Sequence, residues 1–121
     1  MIWVGLGGFL GANARYLLGG WVARWLGVGF PYGTFIINIS GCFILGFFLA
    51  LVQDRLWVHP NVRLLFAVGF VGAYTTFSTF EYESVRLLQD GEMLLGVTYL
   101  IGSVVAGGIA AIVGIALGGW V

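Results

Sequence analysis

The sequence predicts an all-α integral membrane protein of four transmembrane helices, the third of them broken in mid-membrane. Three observations carry that expectation. Of 121 residues, 60% are hydrophobic and 8% charged, where soluble domains carry roughly a quarter charged residues; the mean hydropathy is +1.04. A helix crossing a hydrocarbon core about 30 Å thick needs about 20 predominantly apolar residues, and four such stretches fit, at about 2–24, 32–52, 62–88 and 94–121. The third is interrupted by a cluster of hydroxyl side chains. Together the spans use nearly the whole chain, so a single four-helix transmembrane domain, 1–121, is expected, with both termini on one side of the membrane.

The first span has a rival reading as a signal peptide, with Ala12-Asn13-Ala14 as the cleavage site. Such a peptide carries a basic segment before its apolar core. None precedes this run, which resumes beyond Arg15 through 17–25. Small residues recur four apart in this span (Gly7, Gly11, then Gly19) and in the last (Ala106, Ala110, Gly114, Gly118), a spacing that lets helix backbones approach closely. Packing within one subunit must use some of these rows, and the number of glycines, 21, leaves others for contact between subunits. The second span holds one amide, Asn38, and the sole cysteine, Cys42, which reads as a small buried residue. In the loop after it, Trp57-Val58-His59-Pro60 suits the headgroup level. A lone loop histidine is ordinarily just solvated.

The third span is the informative one. As an ideal helix its 27 or so residues would reach roughly 40 Å at 1.5 Å per residue, longer than the core it crosses. Thr75, Thr76, Ser78 and Thr79 fall within five residues beside glycine and β-branched positions of low helix propensity, and Ser78-x-x-Glu81 has capping-box spacing. A break near 72–78 is expected, with the helix restarting around 76–78. The bland alternative is a continuous helix whose hydroxyls bond back to the preceding turn. Backbone groups freed inside a membrane persist only where protein, water or an ion satisfies them, so a break there marks a site. Its first half ends in carbonyls, which suit a cation. Its second half offers hydroxyl donors with Phe77 and Phe80, three apart and so on one face, whose ring edges are positive. Asn38, Tyr99 and Ser103 extend a polar track. Singly, each is as well read as packing or an interhelical hydrogen bond. Jointly they suggest a path for a small anion or polar solute, lined weakly enough to release it.

Charge placement says little about orientation. Arg24 and Arg86 mark one membrane side and Arg55 and Arg63 the other, with Arg15 inside the first span. Topology follows Lys and Arg near helix ends, so a near-tie makes both orientations accessible. Net charge is zero and no basic stretch suggests nucleic acid.

Gly8-Phe9-Leu10-Gly11-Ala12-Asn13-Ala14-Arg15-Tyr16, then Gly33-Thr34-Phe35-Ile36-Ile37-Asn38-Ile39-Ser40-Gly41, then 72–80 with Glu83, strongly resemble the Fluc (CrcB) fluoride channels, in order along the chain. The Thr75-Thr76-Phe77-Ser78-Thr79-Phe80 element is its most specific part. The resemblance implies a fluoride-selective channel in the cell membrane, exporting fluoride passively and so limiting its toxicity. It implies an antiparallel, dual-topology homodimer with two pores, and a structural Na⁺ on the dimer axis held by the Gly72 and Thr75 carbonyls. Phe77 and Phe80 would be pore phenylalanines, Asn38, Ser78, Thr79, Tyr99 and Ser103 pore-lining polar groups, Glu83 a pore-end carboxylate and Arg15 a vestibule charge. This sequence departs from the pattern at Ala73-Tyr74, where a second glycine and a smaller apolar residue are common. The runner-up is a small multidrug-resistance exporter, but proton coupling there uses a glutamate in the first helix, where this chain has Arg15. An enzyme would need a nucleophile with its base or a metal set, and Cys42 and His59 supply neither.

Overall fold

The computed structural model describes residues 1–121 and is entirely helical, with no strand. Helix α1 (Ile2–Leu26) ends at Gly27, whose φ of +80° suits a residue without Cβ. Pro31 then precedes α2 (Tyr32–Val52). Helix α3 occupies residues 60–74. It starts at Pro60, the first-turn position where a missing N–H costs nothing, and the His59 Nδ1 accepts the Asn61 amide at 3.0 Å. The histidine is thus a helix cap, where simple solvation was expected.

Helix α3 is not uniform. It runs as α-helix over Pro60–Arg63, widens to π-helical geometry over Leu64–Val71, and tightens again over Gly72–Tyr74. Thr75 (φ −84°, ψ 157°) and Thr76 (φ −149°, ψ 115°) are extended. Helix α4 (Phe77–Gln89) follows, and Gly91, at φ +83°, turns the chain into α5 (Met93–Trp120). The restart is capped by Thr76, whose Oγ1 accepts the Thr79 amide at 3.3 Å. This corrects the expected Ser78–Glu81 box: Ser78 already lies inside the helix, so its hydroxyl has passed the position from which it could cap.

Three segments are long and apolar enough to cross a membrane: Tyr32–Val52, Pro60–Gln89 with its interruption, and Met93–Trp120. Helix α1 has the length, at 25 residues, but Asn13, Arg15 and Arg24 dilute its apolar character.

Packing inside the chain runs along glycine notches. A Cβ on Gly7 would enter the Leu65 carbonyl, one on Gly11 the Phe70 carbonyl, and one on Gly69 would lie 2.6 Å from the Val4 oxygen, so α1 and α3 touch backbone to backbone. Helices α2 and α5 meet in the same way, Gly114 against Phe43, Gly118 against Phe47 and Gly46 against Ala111. Apolar side chains gain nothing by leaving lipid for one another, so such close approach is how helices associate in a bilayer. The Gly7–Gly11 and Gly114–Gly118 rows are therefore among those used for packing within the chain. Gly102, Gly108 and Gly119, where an added Cβ would meet nothing, remain on the outer side of α5. Only 18 of 121 residues are buried, and long apolar side chains such as Ile101, Val104 and Ile112 stand outward; an apolar surface of that extent fits lipid or a partner rather than water.

Gly114→Leu should therefore lower the thermal midpoint in detergent sharply, since overpacking against backbone costs about 1–3 kcal/mol or more. Gly108→Leu, on the same helix but facing outward, should leave it nearly unchanged; equal midpoints for the two would refute the notch assignment.

Candidate functional site

A helix that stops must find partners for its last carbonyls, and one that starts must find them for its first amides. At Thr75–Thr76 both problems arise within two residues, and neighbouring helices solve them. From α2, the Asn38 side chain pairs with the Thr76 peptide on both sides: Nδ2 donates to the Thr76 carbonyl at 3.0 Å, and Oδ1 accepts the Thr76 amide at 2.8 Å. From α1, Arg15 Nε donates to the Ala73 carbonyl at 3.1 Å, placing a cation at the negative end of a half-helix, where the backbone dipoles favour it. Thr75 closes on the preceding turn, its amide and its Oγ1 both donating to the Val71 carbonyl at 3.0 and 2.9 Å.

Three carbonyls are left over, and one is that of Tyr74, whose helical donor would be the Ser78 amide across the break. In an unbroken helix the Gly72 carbonyl would take the Thr76 amide, but that amide goes to Asn38. The Thr75 carbonyl would take the Thr79 amide, but that goes to Thr76 Oγ1. Gly72 is exposed, with open space where a Cβ would stand. The break thus offers three carbonyl oxygens without helix donors, those of Gly72, Tyr74 and Thr75, a set that suits a hard cation and not an anion.

Beyond the break, α4 divides its side chains between two faces. Thr79 and Glu83, four apart, line an open groove of about 970 Å³ with Arg15, Thr34 and Thr76. Phe77 and Phe80 lie on the other side, in an apolar groove of about 400 Å³ with Leu100, Ile101 and Val104. Their ring centroids are 6.0 Å apart. Phe80 is 7% exposed and presents its ring near-perpendicular to Tyr99 at 5.0 Å; Phe77 is 74% exposed. Tyr99 is fully enclosed at 0% exposure, its hydroxyl donating to Glu83 Oε1 at 3.0 Å. The Ser103 oxygen, one turn along α5, is buried and has no hydrogen-bond partner. Ser78 faces outward.

The residues singled out in the sequence therefore gather around one helix interruption, but on different sides of it. Arg15, Thr79 and Glu83 share the wide groove. Phe77 and Phe80 share the narrow one. Asn38 serves the backbone of the break, keeping one N–H spare. Tyr99 lies between grooves, and Ser78 and Gly72 stand on the outer surface. Sequence reasoning missed Thr76 as the cap, the Ser40–Tyr74 hydrogen bond at 2.9 Å, and Phe30, a loop residue whose ring meets Tyr99 at 5.3 Å. Only Tyr74 had left a trace, as a departure from the family pattern.

Long apolar helices, one interrupted and its free peptide groups held by side chains of its neighbours, define a multi-pass integral membrane protein with a polar site inside it. The chain belongs to the CrcB-like protein family (camphor resistance, CrcB), which it matches over residues 2–115. It is 49% identical over 117 residues to a protein of Chloroflexus aurantiacus named fluoride-specific ion channel FluC, covering 97% of this chain and 93% of that one. Proteins of the same name from Acidobacterium capsulatum (48% over 117 residues; 97% and 94% covered) and Koribacter versatilis (52% over 90 residues; 74% and 71% covered) are similar to it. Membership places it in the cell membrane and among transport proteins, not enzymes.

Asn38→Leu fills a similar volume and leaves the Thr76 N–H and C=O without partners. An unsatisfied buried group costs about 1–3 kcal/mol, so the variant should lose thermal stability and exchange its Thr76 amide proton faster. Exchange unchanged at Thr76 would remove Asn38 from that role.

Proposed function

We propose that the protein is a fluoride-selective channel through which fluoride leaves the cytoplasm down its gradient, relieving its toxicity. The observation that carries this reading is the joining, at one helix break, of carbonyls without donors to a phenylalanine pair whose edges and neighbouring hydroxyls carry no formal charge. Fluoride is small and strongly hydrated, so a path must replace its water with donors without holding it. The positive ring edges of Phe77 and Phe80, the hydroxyls of Ser78, Thr79 and Ser103, and the spare N–H of Asn38 are donors of that weak kind. Tyr99 orients Glu83 at the groove end. Arg15 has committed one N–H to Ala73, and the rest of its five donors serve the groove as an anion-attracting vestibule.

The functional unit in this reading is an antiparallel, dual-topology homodimer in which α1 joins the three other spans in crossing the bilayer. Its two pores lie where the outward Phe77 of each subunit meets the other. The residues fit a structural Na⁺ on the dimer axis: Gly72 and Thr75 present carbonyls that their own helix does not use, and two copies would supply four oxygens. The ion would supply positive charge to hold four converging dipoles together; it would not drive transport.

The test of conduction is fluoride efflux from vesicles reconstituted with purified protein. Phe77→Ile or Phe80→Ile should cut efflux at least tenfold while dimers still form, since Ile keeps apolar volume without a polar edge. Wild-type efflux in both variants would take the rings out of the path.

The test of assembly is sodium removal combined with topology. C-terminal tags should be found on both membrane faces, and prolonged dialysis against sodium-free buffer should dissociate dimers and stop efflux. Thr75→Ser, which keeps the backbone, should be tolerated; Thr75→Pro, which deletes the bond to Val71, should not. Glu81→Gln and Glu83→Gln should retain the sodium dependence. A single tag orientation, or dimers and flux indifferent to sodium, would sink this arrangement.

A further inference from the structure

The break is flanked by a second side-chain tie that the pore reading does not use. Helices α2 and α3 run antiparallel, and two residues on from Asn38 along α2, Ser40 meets the residue two back from Thr76, which is Tyr74. Ser40 Oγ lies 3.1 Å from the Ile37 carbonyl, to which it donates, and 2.9 Å from Tyr74 Oη. With the serine proton committed to Ile37, the tyrosine must be the donor of the second bond. The Tyr74 ring has no freedom to relax it. It is buried at 6% exposure, lies parallel to Phe70 (5.8 Å between centroids, 13° between planes), and abuts α2 at Gly41, where a Cβ would be 3.5 Å from Cδ2. The same notch receives the Thr75 methyl.

We propose that Tyr74, latched to Ser40, is a positioning residue that sets the direction of the Gly72 and Thr75 carbonyls. Its place in the chain gives the reason. The two peptides that meet at the Tyr74 Cα carry the Ala73 and Tyr74 carbonyls, and those of Gly72 and Thr75 lie one peptide further out on either side, so a Cα held at 74 anchors the middle of the segment that displays both. Asn38 holds the far side of Thr75 through the Thr76 peptide. With both rungs made, the two peptides between Tyr74 and Thr76, the second of which carries the Thr75 carbonyl, have little room to rotate. With the Tyr74 rung gone, the last turn of α3 keeps its backbone bonds, the Thr75 hydroxyl on Val71 and Arg15 on Ala73, none of which ties it to α2.

This inference rests on the reading of Gly72 and Thr75 as a sodium site, and its test separates the two. Tyr74→Phe removes one hydroxyl and keeps the ring, its stacking and its burial; Ser40→Ala removes the acceptor. Two quantities are measured on the full-length protein: amide exchange at Thr75 and Thr76 in a lipid or detergent environment, and the sodium concentration giving half-maximal dimer stability. Each variant should speed exchange at these amides by roughly five- to tenfold, the worth of one neutral hydrogen bond, and raise the half-maximal sodium concentration by a similar factor. Efflux at saturating sodium should stay near wild type. The double variant should be no worse than either single one, because both remove the same bond, and Ser40→Thr should restore wild-type behaviour. A packing role alone would lower overall stability without moving the sodium dependence. Unchanged exchange at Thr75 and Thr76 overturns the latch, as does an unchanged half-maximal sodium concentration in a protein whose wild type responds to sodium. A wild type indifferent to sodium sinks the sodium reading instead, and the exchange measurement then decides the latch by itself.

Discussion

Everything about this fold answers to one constraint: a peptide group freed inside a bilayer has no water to turn to. Interrupting a spanning helix at Thr75–Thr76 releases carbonyls and amides where each unpartnered one costs free energy comparable to a lost hydrogen bond. The rest of the chain supplies the remedies. Helix α2 contributes Asn38, α1 contributes Arg15, and α4 begins with its own threonine cap. Arg63, at the start of α3, adds a tie to the Val52 carbonyl at 2.6 Å, so α2 and α3 are pinned at both ends. The two donors to freed carbonyls, Arg15 and Asn38, come from α1 and α2, both distant from the break in sequence. The break is therefore a tertiary feature, and it can exist only once α1, α2 and α3 are packed.

That packing explains the glycines. Arg15 reaches Ala73 because α1 lies directly on α3, and it lies there because Gly7, Gly11 and Gly69 remove the side chains that would hold the backbones apart. The π-helical stretch Leu64–Val71 covers the same contact, with the carbonyls of Leu65 and Phe70 turned into the α1 notches. Distance and register at the glycine seam thus fix a hydrogen bond at the break one to two turns away. On the opposite side of the chain, the α2–α5 seam through Gly46, Gly114 and Gly118 fixes where Tyr99 meets Phe80 and Glu83. Two dry backbone seams carry the precision that a soluble protein would obtain from a hydrophobic core.

The helical architecture was legible because its signals are long: apolar runs of about 20 residues leave little else for the chain to be. A clustering of polar groups around 72–80 was legible from propensity, since four hydroxyls in five residues suit neither a helix interior nor lipid. What one sequence could not show is which group serves which partner. Ser78 has the spacing of a cap and Thr76 does the capping; the difference is two residues of helix phase, beyond what spacing resolves. Asn38 read as a donor to a solute, yet both ends of its amide reach a backbone 38 residues away. The glycine rows had the right spacing for helix contact, but spacing does not name the neighbour, and the neighbour proved to be within the chain. Phe30 carried no signal at all, being a loop aromatic whose contact with Tyr99 arises only from the turn between α1 and α2.

The placement of charge bears on what the proposed conduction path can do. An ionised side chain near mid-membrane is costly and is kept only when paired or facing an aqueous cavity. Here the one such charge close to the break, Arg15, spends a donor on the Ala73 carbonyl and turns the rest toward the open groove. Glu83, the nearest carboxylate on α4 that faces the groove, is engaged by Tyr99. Between them α4 and α5 offer hydroxyls and ring edges and α2 offers the Asn38 amide, all neutral groups, with Glu81 the one carboxylate lining the Phe77–Phe80 groove. An anion passing such a wall would meet many weak partners and no deep well, which permits release as readily as entry. A cation on the carbonyls of Gly72 and Thr75 would instead meet converging dipoles from a rigid backbone. The same two-residue break thus separates a face suited to holding an ion from a face suited to letting one go, and the separation follows from the direction of the peptide: carbonyls gather where α3 ends, and donors where α4 begins.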